Sequence, residues 1–199
     1  MKTQVSLVGR TNVGKSLLFN KLVKARKSLV VDHHGSTRDT NQGISTFNGK
    51  SIVVEDTGGF PETKATSNVQ IESKIIQSIN ESNLILFMTS CNEGLTPKDI
   101  EISKIIRKLN KRTLLLINKC DLTSKIDNIN TFYQLGYKDI FIISAKSNLG
   151  ILKLQEKIFE LVTESKVIDS KKNLRVSFIG KPNVGKSTLI NAVIKEERM

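Results

Sequence analysis

The sequence predicts an α/β fold: a mainly parallel six-stranded sheet with helices on both faces, then a linker and the first strand–helix unit of a second domain of the same kind. Three observations predict it. Apolar runs of strand length alternate with apolar stripes at helical spacing along the first 164 positions, as in parallel strands joined by crossover helices. An eight-residue glycine motif joins the first run to the first stripe. The same motif returns, its two copies beginning at Gly9 and Gly180, 171 residues apart. That spacing is one domain length, so the repeat marks tandem domains.

The first element is a buried strand at residues 4–8, and a helix follows over 15–25. Between them lies Gly9-Arg10-Thr11-Asn12-Val13-Gly14-Lys15-Ser16, with Leu17 opening the helical stripe. In the order strand, loop, helix, the pattern G-x-x-x-x-G-K-S is a phosphate-binding loop. Glycines let the backbone wrap closely around phosphates with successive N–H groups pointing inward. The helix adds the positive end of its dipole. Lys15 supplies a point charge to the β- and γ-phosphates, and the Ser16 hydroxyl can ligate Mg²⁺.

Residues 28–42 are polar and irregular and include His33, His34 and Thr37. With no second ligand cluster in the sequence, the adjacent histidines read as a solvated loop and not as a metal site. Short strands at 43–48 and 51–55 form a hairpin about Asn48-Gly49, the first an antiparallel edge and the second part of the parallel core. The second strand runs into Asp56-Thr57-Gly58-Gly59. Downstream of a phosphate loop, that carboxylate can hold a metal-bound water and the Gly59 N–H can approach a γ-phosphate. Residues 60–68 read as a polar loop, and Ile71, Ile75, Ile76 and Ile79 form a helical stripe.

The run at 83–88 is a central parallel strand. Ile102, Ile105, Ile106 and Leu109 are the apolar face of the next helix, whose Lys104, Arg107, Lys108 and Lys111 read as a solvated face. The strand at 113–117 leads directly into Asn118-Lys119-Cys120-Asp121. N-K-x-D at the carboxyl end of a parallel strand reads guanine. The Asp121 carboxylate can accept from the ring N1–H and the 2-amino group, a donor pair adenine lacks, and a site built this way rejects adenine strongly. Asn118 can reach N7 and tie loops together, and the Lys119 stem can pack on the base. Residues 125–136 read as a helix and 140–143 as the last strand, followed by Ser144-Ala145-Lys146, where small residues let backbone approach the base. Ile151, Leu154, Ile158, Leu161 and Val162 form a final amphipathic helix. The first domain spans 1–164, a charged linker 165–173, and the start of a second domain 174–199, cut off soon after Gly180-Lys181-Pro182-Asn183-Val184-Gly185-Lys186-Ser187.

Composition narrows the class further. The 199 residues are 38% apolar, enough for a core. No run reaches the ~18 apolar residues of a membrane span, and residues 1–4 lead into a strand without a signal-peptide core. Cys91 and Cys120 form neither a disulfide framework nor a C-x-x-C pattern, so reduced thiols and a cytoplasmic location are expected. The net charge of +12 suits a polyanionic partner such as RNA, although the lysines are scattered along the chain.

All five guanine-nucleotide elements thus stand in order: 9–16, Thr37, 56–59, 118–121 and 144–146. The chain resembles a TRAFAC-class bacterial GTPase with a P-loop NTPase G domain. Its doubled G-x-x-N-V-G-K-S loop makes it similar to the Der (EngA) family of tandem-G-domain GTPases of large ribosomal subunit assembly, C-terminally truncated. The resemblance implies GTP hydrolysis to GDP and phosphate, with Lys15, Thr37, Gly59 and Asn12 in catalytic roles. Mg²⁺ would be held by Ser16, Thr37 and Asp56, and K⁺ by Asn12, with Asn183 matching in the second loop. Phe60 sits where Ras-like enzymes carry a water-orienting glutamine, so hydrolysis must be assisted otherwise. The implied partners are GTP, a large-subunit precursor and its rRNA, with no DNA and no integral membrane segment, and the protein is expected to be a monomer.

Two positions depart from the family pattern: Thr11 replaces the usual proline and Leu17 the usual threonine. The family's C-terminal KH-like domain and the remaining elements of the second G domain are missing from the sequence. Two other readings stay open. One is a nucleotide-gated RNA- or protein-binding module with negligible hydrolysis. The other is a different G protein, Era-like or of the tRNA-modification type, against which the second phosphate loop argues. Asp121 argues against an ATP-using protein.

Overall fold

Strands and helices alternate along the described residues in the order β1 (Gln4–Val8), α1 (Lys15–Lys24), β2 (Asn41–Phe47), β3 (Lys50–Asp56), α2 (Thr66–Glu81), β4 (Leu84–Ser90), α3 (Pro97–Lys108), β5 (Thr113–Asn118), α4 (Ile126–Phe132), β6 (Ile140–Ile142) and α5 (Ile151–Glu164). The computed structural model describes residues 3–24, 41–61, 66–121 and 126–164, of which 24, 66–70, 126–128 and 163–164 are described by backbone alone. His33, His34 and Thr37, the linker and the second phosphate loop at 180–187 lie outside the described residues. The chain divides into units 1–167 and 168–199, and every described residue belongs to the first.

The sheet order is β2-β3-β1-β4-β5-β6. β2 alone runs antiparallel, joined to β3 through Asn48 and Gly49, both at positive φ as the tight hairpin requires. β1 lies between β3 and β4, with Leu7 opposite Asp56 on one side and opposite Leu86 on the other. The apolar runs are central strands: every residue of β4 is buried, as are the last five of β5.

Alternation along each strand divides the core in two, because successive side chains point to opposite faces. Leu84, Leu86 and Met88 pack with Leu18, Leu22, Leu154 and Ile158 of α1 and α5. Ile85 and Phe87 pack with Ile75, Ile79, Ile102 and Ile106 of α2 and α3, and with Phe132 of α4. Between β1, β3 and α2 sits a buried polar knot. The Glu55 carboxylate accepts from Gln4 Nε2 at 2.6 Å, Ser6 Oγ at 3.0 Å and Ser78 Oγ at 2.5 Å. No helix of the described residues is long and apolar enough to cross a membrane.

Several boundaries differ from the sequence expectation: β2 begins at Asn41 and not at 43, and β4 runs to Ser90 and not to 88. α2 begins at Thr66, within the expected polar loop, because a helix's first turn needs no apolar face and periodicity does not register it. The helix expected over 125–136 is α4 followed by a 3-10 turn at Tyr133–Leu135, which Gly136 ends in the left-handed conformation at φ 63°. α3 starts with a capping box: Thr96 Oγ1 accepts from the Asp99 N–H at 3.3 Å, and Asp99 Oδ2 accepts from the Thr96 N–H at 3.1 Å.

Leu86 is fully buried between two parallel neighbours, whereas Ile142, in edge strand β6, is 43% exposed. Leu86→Ala should therefore cost about 3 kcal/mol and Ile142→Ala under about 1 kcal/mol. Urea unfolding of the two variants checks this.

Candidate nucleotide-binding site

The expected site residues that are described converge on one edge of the sheet, beyond the carboxyl ends of β1, β3, β5 and β6. In open α/β sheets this is where ligands bind. Asn118, the last residue of β5, is buried and reaches in two directions. Its Nδ2 donates to the Val13 carbonyl at 2.8 Å, and its Oδ1 accepts from the Ala145 N–H at 2.9 Å. One amide thereby clamps the phosphate loop to the Ser144-Ala145-Lys146 loop. Gly14 makes room for it: at φ +100° a Cβ there would lie 2.4 Å from Asn118 Nδ2.

Lys15 is buried, and its Nζ donates to the Arg10 carbonyl at 2.8 Å. Burial lowers its pKa to about 8, against the attraction of Asp56 and helped by repulsion from Arg10. Asp56 ends β3 and is itself buried, and its Oδ1 has no hydrogen-bond partner among the described residues. An orphaned carboxylate oxygen beside a lysine and a phosphate loop suits a hard divalent cation. Ser16 stands exposed near the start of α1, and Asn12 is exposed at φ 62°. Leu17 is 44% exposed and lines a cavity with Asn20, Lys21, Asn148, Ile151 and Leu152.

The turn after Asp56 is built against the phosphate loop. Thr57 Oγ1 donates to the Leu7 carbonyl at 2.7 Å, and the Phe60 N–H to the Gly9 carbonyl at 3.0 Å. A Cβ on Gly59 would meet the Thr11 backbone at 2.8 Å, so only glycine fits this contact. Phe60 is fully buried in the core shared with α2 and α3. Gly58 is exposed.

Asp121 is exposed and its carboxylate is pre-set by hydrogen bonds. Ser144 Oγ donates to Oδ1, and Ser147 Oγ donates to the same oxygen at 3.1 Å. These bonds, Ser144 foremost, with Lys146 nearby, hold the carboxyl below its usual pKa and keep it an acceptor. Cys120 faces inward, its thiol donating to the Ile117 carbonyl at 3.4 Å. Burial first, then the neighbouring Cys91 thiol, pushes its pKa up to about 12.

The sequence reading missed two acids. Arg10 is buried, with its Nε 3.1 Å from Asp99 Oδ1 and its Nη1 on Glu93 Oε2. Burial alone would lower the Arg10 pKa, but Glu93 and Asp99 outweigh it and raise the value above its ordinary one. Lys119 Nζ lies 3.7 Å from Glu93 Oε1. The signature Thr96-Pro97-Lys98-Asp99 announces a helix cap in the sequence, but nothing local announces Arg10 as the partner of Asp99. Among the described residues no group of three or more His, Cys, Asp or Glu side chains gathers at a possible metal site.

Comparison with known proteins agrees with this geometry. GTPase Der of Aquifex aeolicus (strain VF5) is 39% identical over 200 residues, covering 100% of this chain and 46% of the relative. GTPase Der of Buchnera aphidicola subsp. Acyrthosiphon pisum (strain APS) is 43% identical over 208 residues, covering 98% and 46%. The chain spans about half the length of the curated relatives it matches. Among solved structures, a variant of Aquifex aeolicus Era bound to GDP.AlF4- superposes with a TM-score of 0.67 at 31% identity, over 81% of this chain and 57% of that one. Era in complex with MgGDPNP and nucleotides 1506–1542 of 16S ribosomal RNA gives 0.66 at 29% identity, over 92% and 60%. The family described as 50S ribosome-binding GTPase matches residues 4–119 and 175–199. That match takes in both phosphate loops and more than half of the chain, and the chain belongs to the 50S ribosome-binding GTPase family.

Proposed function

We propose that this chain binds GTP and hydrolyses it to GDP and phosphate, within a protein that acts as a switch in assembly of the large ribosomal subunit. The observation that carries this reading is the Asn118 clamp, which joins the phosphate loop to the base-side loop, while Ser144 and Ser147 of that second loop hold Asp121 as an acceptor. Such an acceptor suits the N1–H and 2-amino donors of guanine and repels the adenine edge. Lys15 would leave the Arg10 carbonyl for the β- and γ-phosphates, and phosphate charge would restore its full protonation. The Gly59 N–H would face the γ-phosphate.

Asp56, Ser16 and Thr37 would hold Mg²⁺, which supplies charge where the β- and γ-phosphate oxygens need it. Asn12, exposed at the rim of the loop, would help hold K⁺, which supplies charge that an arginine finger supplies elsewhere. Phe60 cannot orient a water, being fully buried, so assistance of this kind is needed. In this proposal residues 1–164 form a G domain, 165–173 a linker, and 174–199 the beginning of a second G domain with its own phosphate loop. The partners in this reading are a large-subunit precursor and its rRNA, met in the cytoplasm by a monomer. The net charge of +12 favours the RNA contact. The burial of Phe60 also favours a second reading, a nucleotide-gated binding module with negligible hydrolysis.

GTP hydrolysis in potassium and in sodium at matched ionic strength separates the two. Potassium should stimulate turnover, and Asn12→Ala should remove that response while leaving GDP affinity within about threefold. Binding without hydrolysis in either salt would favour the module. Asp121→Asn should weaken GTP by about 100-fold or more and shift preference to xanthosine triphosphate, whose 2-oxo group accepts from an amide. A nucleotide-competition titration reads this directly.

Lys15→Met should abolish GTP binding and yet stabilise the nucleotide-free chain at pH 7. The unfolded chain keeps the Lys15 proton to 10.5 and the folded chain only to about 8, so the unfolded state binds more protons between these values. The penalty is therefore fully present below pH 8 and fades as pH rises to 10.5. The gap is worth roughly 3 kcal/mol, and the lost bond to the Arg10 carbonyl returns about 1, leaving a gain of about 2 kcal/mol. Urea unfolding of both proteins at pH 7 and pH 10 tests the sign and the trend.

A further inference from the structure

Glu93 lies in the turn after β4, outside every nucleotide motif, yet its two carboxylate oxygens hold two different motifs. Oε1 faces Lys119 Nζ of the base-reading loop at 3.7 Å, and Oε2 receives Arg10 Nη1 of the phosphate loop. We propose that Glu93 is a positioning residue that couples the base-reading loop to the phosphate loop, so that the two ends of a guanine nucleotide are bound as one unit. This rests on the reading that the chain binds GTP.

Arg10 is the residue through which such coupling acts. Its backbone carbonyl is what holds Lys15 Nζ in the nucleotide-free site, at 2.8 Å. Its neighbour Gly9 accepts from Phe60, and Arg10 itself bridges Phe60, so it also touches the turn that follows Asp56. The guanidinium has one rigid anchor and one adjustable one. Asp99 is fully buried and fixed by its bonds to Thr96 at the start of α3. Glu93 is 41% exposed and lies in the turn after β4. Because Arg10 Nη2 is buried without a partner among the described residues, losing Glu93 would leave the guanidinium with Asp99 as its one described acid.

At the other end, Lys119 sits at φ 63°, a left-handed conformation that is uncommon for a residue with a Cβ. The Asn118 clamp holds the residue before it, and Glu93 holds its ammonium. A simple rim ion pair is the competing account. It predicts little effect on anything, since partly exposed pairs add little to stability. Coupling predicts a change in nucleotide affinity without a matching change in stability.

The test uses the full 199-residue chain with Mg²⁺ and a fluorescent GDP. If the unmodified chain does not bind GDP, the GTPase reading fails, and the coupling proposal falls with it. If it binds, Glu93→Gln should weaken affinity about tenfold, the size of one lost charge-assisted contact. The nucleotide-free unfolding midpoint should move by less than about 3 °C. Lys119→Met should also weaken binding, and the Glu93→Gln/Lys119→Met double variant should lose at least about fivefold less than the product of the two single losses. Unchanged affinity in Glu93→Gln, losses that multiply, or an unfolding shift that accounts for the affinity loss would each overturn the proposal while leaving GTP binding intact.

Discussion

A single primary amide organises this site. Asn118 spends its donor on the phosphate loop and its acceptor on the loop after β6, and both bonds are buried. A buried amide left unpaired would cost about 1–3 kcal/mol, so the loops and the amide define each other's positions. The rest follows from that constraint. Gly14 must be glycine because the amide occupies the place of its Cβ. Asp121 follows three residues later and is held by Ser144 and Ser147, which belong to the loop that Asn118 has already anchored.

The parts of the fold legible in the sequence are those with a periodic or contiguous signature. β4 and β5 are apolar without interruption because both of their faces are covered, and contiguous runs of that length are what parallel central strands require. The phosphate loop, Asp56 to Gly59, and Asn118 to Asp121 were legible because each concentrates its chemistry within a few neighbouring positions. Thr37 and the second phosphate loop fall outside the described residues.

What the sequence hid is long-range and polar. Asp99 completes the capping box that Thr96 opens, and its other oxygen serves Arg10, 89 positions away. Glu93 reads as an ordinary turn residue. Glu55, within a short strand, is enclosed by Ser6, Ser78 and Gln4. None of these pairings has a period or a spacing. Each depends on which segments the sheet order brings side by side, and the order β3-β1-β4 places residues from distant parts of the chain next to each other. The start of α2 was hidden for a different reason, since capping turns are polar in solution and in helices alike.

The register of β3 against β1 carries a consequence for how the site can change. Asp56 stands opposite Leu7, two residues before the phosphate loop opens at Gly9. The depth of this carboxylate is thus gauged by ladder hydrogen bonds between strands and not by the shape of any loop. A slip of one residue would displace it by about 3.3 Å along the strand and turn it to the opposite face. The sheet acts as a ruler for the charge, and the segments between strands can lengthen, shorten or diverge without altering the reading on it.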